Sequence, residues 1–394
     1  MSMSKTIKVG LDIGNSAVKG CILSAQNGLL KDINIPSCVN YIHDPRHLTY
    51  SEKGTCYIKV LESPLAHSEH IVAIGNRAMD IPNYQQYDVG STSYKTNHEI
   101  TTSLLFGIIA GTLGNESELN VILAVSVPIV ESKTIHLVEE YKHLLEGRHK
   151  IRVYTEKGER DVAINVGIAD VLNEGQAGFL GLLDTVDAKF QTTMNVLYEG
   201  LGQNQAIIPK LEDFLVIDIG EGTTDLAVFR KKKFNPNYSY SVTKGYGTIL
   251  ERSMANAERE GLTIESRKQL QELMESDNVL RQKQKAVWHR FVDVERRSYA
   301  DEVVATILKT YGSQSYLDAI IFLGGGFSAL TGYSLNEQGK ITVKDSYLFD
   351  QMDTALKKNF KTASLIFGVP IPYAQTINSR GLTQVLSSKS LPKK

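Results

Sequence analysis

The chain has 394 residues, with 43 Lys and Arg against 44 Asp and Glu, 42% hydrophobic residues and 22% charged ones. That length predicts two or more domains with ample cores, and the ordinary composition excludes extended disorder. The near-balanced charge supplies no long-range field to draw in nucleic acid directly.

Taken in chain order, the elements alternate between strand and helix. Residues 8–12, 18–24 and 29–35 read as three consecutive strands. The polar, Tyr- and Pro-bearing stretch 36–97 reads as a small subdomain inserted at the edge of a first lobe, with strand-like runs at 55–61 and 70–74. A helix over 99–113 is rich in small apolar residues and is therefore expected to be buried. A buried strand over 120–127 stops at Pro128, because proline cannot donate to a sheet ladder. Helical periodicity runs through 131–146, with Ile135, Val138, Leu144 and Leu145 on one side. Strands at 151–155 and 161–166 flank a Lys157-Gly158 turn, and a helix follows over 174–183. The opening then repeats: strands at 214–218, 225–231 and 238–243, then a helix over 246–260. Charged amphipathic helices are predicted at 264–278 and 283–311, a buried strand at 319–323, and closing helices at 350–361 and 372–386 before a frayed tail. The predicted division is a first lobe over 1–211 closed by residues 372–394, and a second lobe over 212–371 with a helical subdomain over about 250–312.

Cys21, Cys38 and Cys56 are odd in number and lack metal-ligand spacing, which points to reduced thiols. The opening Met1-Ser2-Met3-Ser4-Lys5 has none of the regions of a signal peptide. The longest apolar stretches, 104–113 and 121–130, fall short of the roughly 18 residues that a membrane span needs. A cytoplasmic chain without a membrane partner is the expectation.

The chemistry concentrates in a duplicated octapeptide. Asp12-Ile13-Gly14-Asn15-Ser16-Ala17-Val18-Lys19 and Asp218-Ile219-Gly220-Glu221-Gly222-Thr223-Thr224-Asp225 share one template, each between two apolar runs. Each reads as a β-hairpin whose small turn is headed by an aspartate. The offset, 218 − 12 = 206 residues, is that of a domain and not of a solenoid repeat. Glycine allows a positive φ and brings backbone N–H groups close to a ligand. Two such turns facing one another would clamp a polyphosphate, with the aspartates aimed at its metal. Taken singly, each aspartate also reads as an ordinary turn residue bonding its own backbone. Duplication of the whole template favours the clamp.

A third feature is Ile320-Ile321-Phe322-Leu323-Gly324-Gly325-Gly326-Phe327-Ser328. A buried strand ending in a glycine run offers bare backbone to a flat or phosphorylated ligand. Zinc, serine-hydrolase and P-loop chemistries have no foothold, since the chain lacks a His/Cys cluster, a Gly-x-Ser-x-Gly elbow and a Walker loop. The basic run Arg230-Lys231-Lys232-Lys233 reads as a solvated hairpin end in preference to a DNA patch.

This order of Asp-x-Gly hairpin, second Asp-x-Gly hairpin and strand-Gly-Gly-Gly resembles the actin-like ATPase superfamily, with its phosphate-one, phosphate-two and adenosine motifs. Its connecting motifs match Asn173-Glu174-Gly175-Gln176-Ala177-Gly178 and Thr376-Ile377-Asn378-Ser379-Arg380-Gly381-Leu382. The resemblance spans nearly the whole chain, least at 36–97 and 263–311. Total length, two compact lobes, Val125-Ser126-Val127-Pro128 before a helix, and Glu174 in the first connecting motif liken it to the bacterial plasmid-segregation actins, the ParM-like group, and their archaeal relatives.

The resemblance implies an α/β, actin-like fold of two similar lobes, each a mixed sheet flanked by helices, with nucleotide in the cleft between them. It implies that Asp12 and Asp218 hold magnesium, through the waters which that ion retains. Gly14, Asn15 and Ser16, with Gly220, Gly222, Thr223 and Thr224, would donate to the β- and γ-phosphates. Lys19 would contact phosphate, and Gly324, Gly325 and Gly326 would face the ribose and α-phosphate. Glu174 would orient the attacking water. Lys19 also reads as a solvated hairpin lysine, and Glu174 as a helix-start carboxylate favoured by the macrodipole.

The implied activity is hydrolysis of ATP, or GTP, coupled to polymerisation. Nucleotide binding would drive head-to-tail filament assembly and hydrolysis would drive disassembly, a non-closing contact giving an open helix. In the ParM-like group such filaments segregate plasmid DNA through a small DNA-binding adaptor protein, so DNA would be met only indirectly. The alternative is a small-molecule, sugar-type kinase on the same scaffold. It needs a carboxylate base beside an acceptor hydroxyl, for which Asp170 and Glu174 are the candidates.

Overall fold

Residues 121–127 are apolar at every position but Ser126, the pattern of a strand covered on both faces. In the computed structural model, which describes residues 5–44, 46, 48, 56–65, 69–86, 95–97, 99–112, 116–184, 187–203, 207–311, 317–336, 340–359 and 365–390, this run lies within strand Glu118–Val127. Packing divides the chain into two units, Met1–Asp184 with Thr376–Lys394, and Thr185–Gln375. Residues 187–203 and 207–211, grouped with the first lobe on sequence grounds, thus belong to the second unit.

The first unit carries a ten-stranded sheet. In chain order its strands are β1 (Lys5–Ile13), β2 (Ala17–Ser24), β3 (Leu29–Pro36), β4 (Cys38–Ile42), β5 (Cys56–Glu62), β6 (Ile71–Ile74), β7 (Gln85–Gln86), β8 (Glu118–Val127), β9 (Gly147–Thr155) and β10 (Gly158–Asn173). Across the sheet they run β3-β2-β1-β8-β10-β9-β5-β6-β4-β7. The stretch read as an insertion therefore contributes β4 to β7, which continue the same sheet at one end. β1 pairs antiparallel with β2 and parallel with β8, which is parallel to β10. Three neighbouring strands consequently end side by side, with Leu11 opposite Val125 and Val127 opposite Asn173.

Alternate residues of a strand face opposite sides. Val121, Leu123, Val125 and Val127 enter a core with residues of helices Glu99–Thr112 and Ile135–Leu145. Ile122 and Ala124 face the other way, onto Ala177, Leu382 and Leu386 of helices Glu174–Leu182 and Ile377–Ser387. These last two helices touch through their backbones. A Cβ on Gly381 would overlap the Ala177 carbonyl, and one on Gly181 the Ile377 carbonyl. The closing helix begins at Ile377 and not at 372, because Tyr373–Gln375 form a separate 3-10 turn and Thr376, at φ −117°, breaks the run before the helix.

The second unit repeats the plan on a smaller sheet. Its strands are β11 (Phe214–Ile219), β12 (Thr224–Arg230), β13 (Lys233–Phe234), β14 (Tyr240–Val242), β15 (Ala319–Leu323), β16 (Ser334–Leu335), β17 (Ile341–Thr342) and β18 (Leu365–Gly368). The main order is β13-β12-β11-β15-β18, with β14 on β12 and a separate β16-β17 pair. β11 is antiparallel to β12 and parallel to β15, which is parallel to β18. That is the arrangement of β2-β1-β8-β10, so the repeated octapeptide marks a repeated sheet topology. Helices Ala188–Gly200, Tyr246–Glu258, Arg267–Glu275, Gln282–Tyr311 and Tyr347–Asn359, with the short helices Ile207–Lys210 and Gly325–Thr331, lie in this unit. The first of these was not predicted, although Asp187 caps it by accepting from the N–H groups of Lys189 and Phe190. Stacked rings of Phe214 and Phe229, 4.5 Å between centroids, cross the β11–β12 ladder. Both units are mixed sheets flanked by helices, as expected.

Candidate functional site

β1 and β11 end alike. Asp12 and Asp218 are each the penultimate residue of their strand, paired across the ladder with Lys19 and Asp225. In the first turn Gly14 N donates to Ala17 O at 3.1 Å; in the second Gly220 N donates to Thr223 O at 2.9 Å. Neither glycine has a left-handed φ, so the argument from positive φ does not apply to them. The turns are close but not closed to a side chain: a Cβ on Gly14 would sit 3.2 Å from Ala17 O, and one on Gly220 3.4 Å from Thr223 O.

In the first unit the ends of β1, β8 and β10 assemble a buried charge cluster. The carboxyl ends of parallel strands are where α/β sheets characteristically meet ligands. Asp12, from β1, is 8% exposed and accepts from Ser126 Oγ of β8 at 2.6 Å. Asn378 Nδ2, from the second connecting motif, lies 3.5 Å from the other Asp12 oxygen. Glu174 follows β10 directly and opens a helix whose cap, Asn173, accepts from Gln176 N at 2.8 Å. Between these carboxylates stands Lys95, 4% exposed, with Nζ 2.9 Å from Glu174 Oε1 and 3.7 Å from Asp12 Oδ1. Glu131, 1% exposed, accepts from the backbone N–H groups of Lys95 and Thr96 at 2.7 and 3.1 Å. Burial pushes the Glu131 carboxyl above its usual range, against the pull of those two donors. Gly14, Asn15, Ser16 and Lys19 lie on the hairpin beside this cluster, half-buried to exposed.

In the second unit the turn is joined by the glycine run. β15 lies beside β11 with Leu323 opposite Asp218. Gly324, at φ 89°, packs so closely that a Cβ would overlap Asp218 Oδ1 and the Ile219 carbonyl, and one on Gly326 would overlap Gly220 O. Gly325 is half-buried beside them. Of the candidate phosphate donors, Thr223 gives its hydroxyl to Asp225 at 2.9 Å, and Thr224 gives its own to the Lys244 carbonyl at 2.8 Å. The Thr224 hydroxyl also touches Tyr299, which is 2% exposed. Gly222 is half-buried at the turn. The structure thus brings Asp12 and Glu174 together in one unit, and Asp218, Gly220 and the three glycines together in the other.

Among the described residues, no group of three or more His, Cys, Asp or Glu side chains is arranged to hold a metal directly. The donor chemistry nevertheless fits a hydrated divalent cation, because two acids, Asp12 and Glu174, share the one ammonium of Lys95, while Glu131 is spent on the backbone N–H groups of Lys95 and Thr96.

A family model described as the N-terminal domain of actin-like proteins matches residues 10–176, and one described as archaeal actin homologue MreB-like, C-terminal, matches residues 216–336. Together they contain both hairpins and the glycine run. The chain belongs to the actin-like proteins. Solved structures agree on the fold: the archaeal actin homologue Ta0583 has a TM-score of 0.64 at 16% identity, covering 97% of this chain and 100% of that one. Alp7A, an actin-like protein, gives 0.64 at 14% identity over 98% and 97%. Bacillus thuringiensis ParM with ATP gives 0.56 at 16% identity over 97% and 98%. No curated protein matches this actin-like chain by sequence.

Lys95, Ser126, Glu131 and Asn378 of this actin-like chain were not singled out as site residues from the sequence. Ser126 and Asn378 lie inside motifs already noted, and their signal was adjacency to them. Lys95 and Glu131 carried none, because only folding brings their positions to the end of β1.

Proposed function

We propose that the chain is a filament-forming ATPase of the actin-like kind, binding ATP or GTP with magnesium and serving the segregation of plasmid DNA through a DNA-bound adaptor. The observation that carries this reading is the twin Asp-x-Gly hairpin, one per unit, each at the carboxyl ends of parallel strands. In this reading Asp12 and Asp218 hold magnesium through its waters, and the turns Gly14 to Ser16 and Gly220 to Thr224 lie against the phosphates, with N–H groups other than those of Gly14 and Gly220, which close the turns themselves, donating to the phosphate oxygens. Lys19 adds a point cation, and the backbone of Gly324 to Gly326 faces the ribose and α-phosphate. Magnesium, when bound, offsets the phosphate charge.

Glu174 orients a water whose oxygen attacks the terminal phosphorus. The bridging P–O bond breaks toward the nucleoside diphosphate, and the water's proton leaves with inorganic phosphate. Such transfer is largely positioning and electrostatics, so one oriented carboxylate suffices. Support for ATP comes from the likeness in fold to a ParM solved with ATP. Asp170, a candidate base of the kinase alternative, lies on β10 opposite Ala124, short of the strand end, and pairs with Lys389 at 3.1 Å, which supports the filament reading over that alternative.

Light scattering with magnesium and ATP or GTP, checked by electron microscopy, tests the reading. Filaments that form with nucleotide and decay on hydrolysis are expected. Stable monomers under all these conditions, with nucleoside diphosphate release stimulated by a sugar, would overturn it.

A further inference from the structure

Lys95 sits on a three-residue turn, Lys95–Asn97, just ahead of the buried helix Glu99–Thr112. Its side chain is 5% exposed, and its ammonium points at the ends of three strands at once. Nζ donates to Glu174 Oε1 at 2.9 Å and to the Ser126 carbonyl at 3.3 Å, with Asp12 Oδ1 at 3.7 Å. A buried ammonium is expensive unless every donor is met, and a flexible four-carbon stem is an inefficient way to hold one. Here the backbone does the holding. Both oxygens of the buried Glu131 are used on consecutive N–H groups, those of Lys95 and Thr96. A buried carboxylate is thus committed to placing one lysine, and that lysine to placing a second carboxylate. Ion pairs of this kind contribute little net stability compared with apolar packing, so stability alone does not account for the chain Glu131–Lys95–Glu174.

We propose that Lys95 is a positioning residue for hydrolysis, aiming the Glu174 carboxylate and tempering the negative charge beside Asp12, with Glu131 fixing Lys95 in turn. The mechanism is electrostatic and geometric. Glu174 opens its helix with its side chain 12% exposed, and the grip of Lys95 Nζ on Oε1 favours one carboxylate orientation. The same cation shares Asp12 with the incoming metal, so it weakens cation binding at that carboxylate while keeping Glu174 in place. This inference rests on the ATPase reading above.

The test is a double-mutant cycle on the full-length chain with Lys95→Met, Glu174→Ala and both together. Single-turnover phosphate release, binding of a fluorescent non-hydrolysable ATP analogue as magnesium is titrated, and thermal unfolding are measured on each. Lys95→Met is expected to slow release by about tenfold or more. The double variant should be no slower than Glu174→Ala within about twofold, because Lys95 acts through Glu174. The magnesium concentration for half-maximal analogue binding should fall severalfold in Lys95→Met, a shift that a merely structural lysine would not cause. Lys95→Arg should recover part of the rate.

Multiplied losses in the double variant, or an unchanged magnesium requirement, overturn the inference while leaving the ATPase reading intact. A native chain that neither binds nor hydrolyses nucleotide overturns both. Should Lys95→Met fail to fold, Glu131→Gln and Lys95→Arg carry the test. Slower release that is not multiplied by Glu174→Ala supports the inference, and native rates in both variants refute it.

Discussion

At the scale of single residues, the site is organised by what each buried polar group must do to remain buried. Glu174 cannot be replaced without freeing Lys95, so Glu174→Ala removes the water-orienting group and one partner of a buried ammonium together. We expect phosphate release to fall by about a hundredfold, nucleotide affinity to stay within a few-fold, and filaments to outlive native ones, read by phosphate release and pelleting. Unchanged release would remove Glu174 from the reaction.

His149 shows the same logic away from the site. It is fully buried, stacks on Phe106 at 4.0 Å and bonds Ser63 and the Leu145 carbonyl. A carbonyl only accepts, so Nε2 carries the proton and Nδ1 accepts from the Ser63 hydroxyl. Burial holds its pKa below the ordinary histidine value. Between that lowered value and about 6.5 the unfolded chain binds more protons, so stability falls as pH falls through this window, by at most about 1.4 kcal/mol per pH unit. Denaturant melts at pH 7 and 5.5 should show a smaller pH-dependent loss in His149→Gln than in the native chain.

At the scale of elements, the decisive contact is helix Glu174–Leu182 against helix Ile377–Ser387, which lie together on one face of the ten-stranded sheet. Gly181 and Gly381 let the two backbones touch, and the first helix begins with Glu174. Close packing therefore sets where that carboxylate starts. Gly381→Ala forces the helices apart and is expected to destabilise the first unit by about 1–3 kcal/mol while slowing hydrolysis through a displaced Glu174. Calorimetry and phosphate release check both effects. An alanine tolerated at native stability would show the contact to be looser than drawn.

At the scale of the whole molecule, two units built on one plan each bring an aspartate to the end of a parallel strand. In the proposed ATPase, losing Asp218 should abolish the linkage between ligand and fold. Asp218→Ala is expected to lose magnesium-dependent nucleotide binding and assembly. In the native chain, ligand at about a hundred times its dissociation constant should add roughly 2.7 kcal/mol of stability, an increment absent from the variant. Normal assembly by Asp218→Ala would count against its role at the metal.

Local chemistry was enough to read the hairpins, the buried strands β8 and β15 and the glycine run, because each depends on near neighbours: alternation, turn residues and a proline stop. The α/β class and the family followed from the order of those motifs. Beyond local reach lay the extension of the first sheet by β4 to β7, the burial of Glu131 and the arrival of Lys95 beside Asp12. Residues 12, 95, 131 and 174 share no spacing or period, and their proximity arises only when β1, β8 and β10 align in register and the turn before helix Glu99–Thr112 folds over their ends. Sequence by itself determined which backbone turns this protein makes. The packing of sheet and helices decided which charges those turns meet, because a buried ion is placed by everything around it and not by its neighbours in the chain.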